Sequence, residues 1–277
     1  MDANVPGPLP ESSSLLPDAP DAAGLASKDQ RGGVPWEGAR SYGPLSRVGI
    51  GADVSPLGIG IKATTVLTEY LDARLLLNFF SHDTGSFEVD TVKGDARLHM
   101  FSIGGAVDAY PLNSIWRLSA GLLMYNGNNV SMTSEIVPGK AVTVDGQDFY
   151  SASPNPATGA TPLNGTGVLG LNAREPEFFL SGGFGRFVPR SNRHWSFPAE
   201  FGAIFMGAPT INITTSGWVC KDKAQTNCSD IADPSNPLAA QFNSALQAQE
   251  AKWRRSLSSF TIYPMFSYSV VYSFNVR

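Results

Sequence analysis

Leu71-Asp72-Ala73-Arg74-Leu75-Leu76-Leu77-Asn78-Phe79-Phe80-Ser81-His82 alternates between two faces. Leu71, Ala73, Leu75, Leu77 and Phe79 form one; Asp72, Arg74, Asn78 and His82 lie on the other, together with Leu76 and Phe80. A period of two over this length is a β-strand with one continuous apolar face. Residues 58–68 repeat it, with Ile59, Ile61, Ala63, Thr65 and Leu67 opposite Gly58, Gly60, Lys62, Thr64 and Thr68. Residues 47–54 set Val48, Ile50, Ala52 and Val54 against Arg47, Gly49, Gly51 and Asp53. The same alternation recurs at 97–110, 115–126, 175–188 and 194–209. It ends the chain in Phe266, Tyr268, Val270, Tyr272 and Phe274 opposite Ser267, Ser269 and Ser273. The expectation is eight strands.

Which face points inward decides the class. In a soluble sandwich or lipocalin-like barrel the apolar row would be the core. Here the other row is rich in Gly and Ser and carries single charges of both signs. Glycine weakens a water-facing strand, whereas a narrow barrel interior needs small residues to leave room for a few long ones. An apolar row facing lipid and a polar row facing the lumen is the pattern of a transmembrane barrel. Connection lengths agree, with short turns at 69–70, 111–114 and 189–193 and long loops at 81–96, 126–174 and 208–260. Trp116, Trp195 and Tyr272 lie near the short-turn end and are expected at the lipid interface. The reading is an all-β, eight-stranded, antiparallel up-and-down transmembrane β-barrel spanning 46–277, with long loops at one end.

Composition supports this and excludes other classes. Of 277 residues only 16% are charged while 28 are Gly, against roughly 25% charged in an ordinary soluble domain. A pI near 5.4 without a basic block argues against nucleic acid, and no apolar run is long enough for a transmembrane helix. Residues 1–45 hold seven of the 20 prolines and two aromatics, Trp36 and Tyr42. Such a stretch buries too little apolar surface to offset its ordering entropy, so a disordered tail is expected. Met1-Asp2-Ala3 lacks the basic and apolar regions of a secretion signal, so export implies a numbering that starts after a removed signal. Cys220 and Cys228, with no His nearby to complete a zinc site, are expected to form a disulfide outside the cytoplasm.

The alternating strands and the ending Tyr263-Pro264-Met265-Phe266-Ser267-Tyr268-Ser269-Val270-Val271-Tyr272-Ser273-Phe274 resemble small bacterial outer-membrane barrels of the OmpA/OmpX/OmpW type. In that group the last strand is similar to an assembly signal of alternating aromatics ending in Phe; this chain adds Asn275-Val276-Arg277. The resemblance implies location in the bacterial outer membrane, lipid as the constant partner, and exposed loops or a tail that can meet an envelope or surface protein.

The charges of the inward row must be paired, since isolated ones are costly to bury. Lys62, Arg74 and Arg117 are therefore expected to meet Asp53, Asp108 and Glu200 in a lumen-filling ion-pair plug; a gated pore through the same residues is the functional alternative. Related barrel families include lipid A acylases, lipid A deacylases and proteases, and a deacylase needs a Ser and a His on one side of the barrel. His82, His99 and His194 meet no such Ser, so no catalytic residue, metal or cofactor is expected. A narrow OmpW-like conduit for small apolar molecules is the second functional reading. Asn236 and Pro237 begin a short loop helix over 238–257. Its apolar stripe could pack on the loop itself, or Trp253-Arg254-Arg255 could engage lipid phosphates.

Overall fold

The computed structural model describes residues 43–111, 114–171 and 175–276. In chain order the strands are β1 (Arg47–Ser55), β2 (Gly58–Val66), β3 (Leu71–Val89), β4 (Val92–Ala109), β5 (Trp116–Asn126), β6 (Asn129–Ile136), β7 (Ala141–Val144) and β8 (Gln147–Ser151). They continue as β9 (Asn164–Gly170), β10 (Glu177–Phe184), β11 (Trp195–Ser196), β12 (Ala199–Phe205), β13 (Thr210–Ser216), β14 (Trp218–Cys220) and β15 (Cys228–Asp230). The helix α1 (Pro237–Leu257) and β16 (Ile262–Asn275) complete the chain.

Every pairing is antiparallel. From β1 the hydrogen-bonded neighbours run β2, β3, β4, β5, β10, β12, β16 and back to β1. That circuit belongs to a twelve-stranded sheet, because β6, β9 and β13 branch from it and β11 pairs with β16. The branch arises on β4, which has 18 residues and two successive partners. Ser102–Ala109 pairs with β5, and beyond a bulge Val92–His99 pairs with β6. Within the 130–144 region β6 therefore extends this sheet beyond the circuit and β7 belongs to a separate sheet, so neither adds a strand to the circuit.

The facing is inverted relative to a soluble barrel. Leu75 is 67% exposed, and Ile50, Ile61, Leu118, Phe201, Phe266 and Tyr268 are exposed with it. Arg47, Asp53, Lys62, Asp72, Arg74, Asp108, Arg117, Glu177 and Glu200 are all buried. This is the reverse of an ordinary soluble core, in which burial follows apolarity. The wall strands β1, β2 and β5 have 9, 9 and 11 residues, the roughly 9–11 that a tilted transmembrane strand needs.

Above the circuit, β7, β8, β14 and β15 form a second sheet. Against it pack Leu238, Phe242 and Ala245 of α1, closing a small core with Phe149, Val219 and Ile231. The helix begins as its sequence dictates: Asn236 Oδ1 accepts from Leu238 N–H at 2.9 Å, with Pro237 in the first turn. Its 21 residues match the span expected over 238–257 to within one residue, and its apolar stripe covers the loop core. Cys220 and Cys228 are disulfide-bonded and sit opposite each other across β14 and β15. In the loop they close, hydrogen bonds from Thr226 hold the Asp222 carboxyl below its ordinary range.

Two strand expectations need correction. The strand expected over 175–188 ends at Phe184, where Gly185 takes a φ of +83° and turns the chain. The strand expected over 194–209 is interrupted at Phe197-Pro198, because Pro198 has no N–H for a ladder. The disordered-tail expectation falls mainly on residues 1–42, outside the described residues.

Leu75→Arg separates a lipid-facing row from a water-facing one. It should cost about 2–4 kcal/mol for a cation near the bilayer midplane, measured by refolding into lipid vesicles; an exposed water-facing Leu would change stability by within about 0.5 kcal/mol. Reducing Cys220–Cys228 should loosen the loop core by roughly 2–3 kcal/mol while hydrogen exchange of β1, β2 and β16 stays unchanged.

Candidate functional site

The lumen is the site that the fold builds, and it is layered. Low in the filling stands an ionic layer assembled from six strands. Arg74 of β3 donates Nη1 to Glu200 Oε2 at 2.7 Å and Nη2 to Glu200 Oε1 at 2.8 Å, a bidentate pair with β12. Its Nη2 also reaches Asp108 Oδ1 of β4 at 3.0 Å. Lys62 of β2 lies 3.2 Å from Asp53 Oδ2 and 3.5 Å from Glu200 Oε2, and donates to Ser267 Oγ and Ser269 Oγ of β16. Arg117 of β5 stands 3.8 Å from both Asp108 and Glu200 and gives its Nη1 to Gly185 O at 2.9 Å. Ser119 and Ser181 hydroxyls donate to Asp108 and Glu200 at 2.5 and 2.6 Å. The structure thus brings together Asp53, Lys62, Arg74, Asp108, Arg117 and Glu200, with Glu200 at the centre.

Glycines across the lumen make the room. A methyl group at Gly60 would overlap Asp53 Oδ1, and one at Gly183 would overlap Ala199 O and crowd Arg117 Nη2. This is why the inward row alternates long charged residues with Gly and Ser.

Above the ionic layer Leu57, Leu76, Leu123, Phe179, Ile204 and Met265 form an apolar layer. Between the two layers a void of about 20 Å³ remains, room for about one water. Above that, Asn78 bonds Ser102 and Asn126 bonds Glu177 Oε2 at 2.6 Å.

Sequence reading missed the floor. Residues 185–188, expected to end a strand, instead form one connection with the 189–193 turn, and Phe187 and Val188 fold inward and are completely buried. The Phe187 ring lies 4.4 Å from Arg74 Cζ, 4.2 Å from Arg117 Cζ and 5.4 Å from Lys62 Nζ, cation–π distances throughout. Arg47 clamps the connection by donating to the carbonyls of Pro189, Ser191 and Arg193. Arg190 pairs with Asp72 Oδ1 at 2.6 Å.

The remaining candidates are dispersed. Trp116, Trp195 and Tyr272 are exposed on the outer surface, with Trp195 and Tyr272 in edge contact at 5.1 Å. Trp253 is exposed on α1. Arg254 donates to Ile211 O at 3.1 Å, and Arg255 Nε donates to Ala251 O at 3.2 Å. His82 and His99 are exposed on β3 and β4, while His194 Nδ1 contacts Ser273 O at 2.8 Å.

A closed antiparallel circuit with exposed apolar strands and a charged lumen is a small outer-membrane-type β-barrel fold. The chain is similar to the crystal structure of Acinetobacter baumannii CarO2, with a TM-score of 0.50 and 15% identity over 84% of this chain and 100% of that one. It is also similar to Acinetobacter baumannii CarO, with a TM-score of 0.48 and 18% identity over 83% and 98%. No protein-family model and no curated protein matches the sequence.

Glu200→Ala should destabilise the protein by about 3–5 kcal/mol, because Arg74 and Lys62 would lose their shared partner in a dry interior. Urea unfolding in detergent measures it. Raising salt to 1 M should leave the wild-type value nearly unchanged, since buried pairs are poorly screened.

Proposed function

We propose that this chain is a bacterial outer-membrane protein whose wall is the eight-strand circuit, whose lumen is plugged, and whose role is non-enzymatic. That role is envelope structure or surface interaction, exercised through the loop sheets that the barrel carries. The observation that supports this most is the inverted sorting of one surface: an apolar outer row, with every inward charge of the ionic layer in contact with an opposite one. Lipid is the constant partner, and a second envelope or surface protein would meet the loops or residues 1–45. A nucleic acid is not expected, given the net charge of −4.

The non-enzymatic part rests on where the histidines sit. His82 and His99 project from the exposed β3–β4 extension, and the His194 ring is engaged with a backbone carbonyl. The plugged-lumen part rests on the layering. A conduit through the barrel would have to pass Phe187, the Glu200 cluster and the apolar layer in turn, and the space left between the last two is about 20 Å³. This favours the plug over both the gated pore and the narrow apolar conduit.

Two linked measurements test the proposal. The detergent-extracted protein should come from the outer-membrane fraction and change gel mobility on boiling. In planar bilayers its single-channel conductance should stay below detection, in the wild type and in Glu200→Ala alike. A soluble protein without a mobility shift would overturn the membrane reading; steady conductance steps in the wild type would overturn the plug.

A further inference from the structure

The circuit is not level at its loop end. The β1 partner of β16 ends at the Val54–Tyr268 pair, yet β16 continues to Ile262 with β12 as its paired neighbour. On the other side, β2 leaves β3 at the Ile59–Phe79 pair, and β3 runs on to Val89 paired with β4. The wall therefore has a notch above the β1–β2 turn, flanked by two taller strands. Pro264, which has no N–H to leave unpaired, stands on the bare flank of β16.

Behind that notch is an apolar chamber of about 380 Å³, within the usual range of small-ligand sites. Leu98, Met100, Val130 and Leu169 line it from the extended sheet, and Met206 and Leu257 from the opposite side. Its few polar side chains are partly occupied within the protein. Asn128 Oδ1 accepts from Phe101 N–H, Asn129 Nδ2 donates to Gly127 O, and Tyr263 OH donates to Pro56 O at 3.1 Å. Tyr263 joins the two features, because it lines the chamber and its hydroxyl rests on the turn that forms the sill of the notch. Ile262 and Pro264, also in the lining, face outward and continue the exposed apolar row of β16.

We infer that this chamber binds one hydrocarbon chain of a membrane lipid, entering sideways from the outer leaflet across the notch. The inference rests on the membrane reading above. A polar ligand would meet only the Asn128 amide nitrogen and the Asn129 amide oxygen in an otherwise apolar lining, and an aqueous route from below is closed by the ionic layer. A chain already lying against Phe266 and Pro264 reaches the chamber without crossing water.

The test uses the full chain in phosphatidylethanolamine–phosphatidylglycerol vesicles containing a fatty acid with a terminal photoreactive diazirine. After irradiation the adducts are mapped by mass spectrometry. We expect adducts on Leu98, Met100, Val130 or Leu169 that unlabelled fatty acid competes away. In a Val130→Trp/Leu169→Trp variant, which fills the chamber from two partly exposed positions and should keep the heat-dependent gel shift, they should fall at least about tenfold. Adducts confined to the outer row, such as Leu75 and Phe266, or chamber adducts that neither saturate nor fall in the variant, would overturn the chamber and leave the membrane reading standing. Adducts on neither surface would overturn the membrane reading and the inference with it.

Discussion

Glu200 is the point on which the interior depends. It accepts both guanidinium branches of Arg74, lies within ion-pair distance of Lys62 and Arg117, and takes hydroxyls from Ser181 and Ser267. One carboxylate thus ties together side chains from six strands of the circuit. The constraint behind it is solvation. When the outer row of a barrel faces an apolar medium, polar side chains have only the lumen, and a lumen too narrow for bulk water demands that each charge bring its own partner. Glycines at 60 and 183 follow from that demand, since any side chain there would occupy the space of Asp53 or Arg117.

The loop region follows from a second constraint, on the edges of the taller strands. β4 outlasts β5, and its bare upper half is paired by β6, which is paired by β9, which is paired by β13. The last edge is closed by side chains of α1. Arg254 donates to Ile211 O, and Glu250 accepts from Ile213 N–H. An exposed row of ladder groups invites pairing with another chain, so the helix protects the sheet as well as covering the loop core. Arg254 thereby bonds the edge of the sheet while its side chain stays more than half exposed.

Much of the barrel was legible because its two faces obey opposite rules at a period of two. Along residues 71–79 and 266–274 the apolar row is continuous, the polar row is broken only by Leu76 and Val271, and the charges that must meet in the lumen are those left on the polar row. What the sequence concealed is what does not alternate. Phe187 and Val188 enter the lumen from a connection, and nothing in Gly185-Arg186-Phe187-Val188-Pro189 distinguishes an inward fold from a strand end. The pairing of β6 with β4 was hidden because it uses the far half of a strand that has another partner below. The chamber was hidden for the same reason, since it is the space between elements whose order is set by long-range pairing.

The central claim is that the apolar row faces lipid while the charged row faces a sealed interior. Single spin labels at successive positions from 266 to 271 in vesicle-reconstituted protein test it most directly, through collision with oxygen and with a water-soluble nickel chelate. The account predicts a period-two oscillation, with positions 266, 268 and 270 open to oxygen and closed to the chelate, and 267, 269 and 271 shielded from both. Free access of the nickel chelate at 266, 268 and 270 would place that row in water and contradict it.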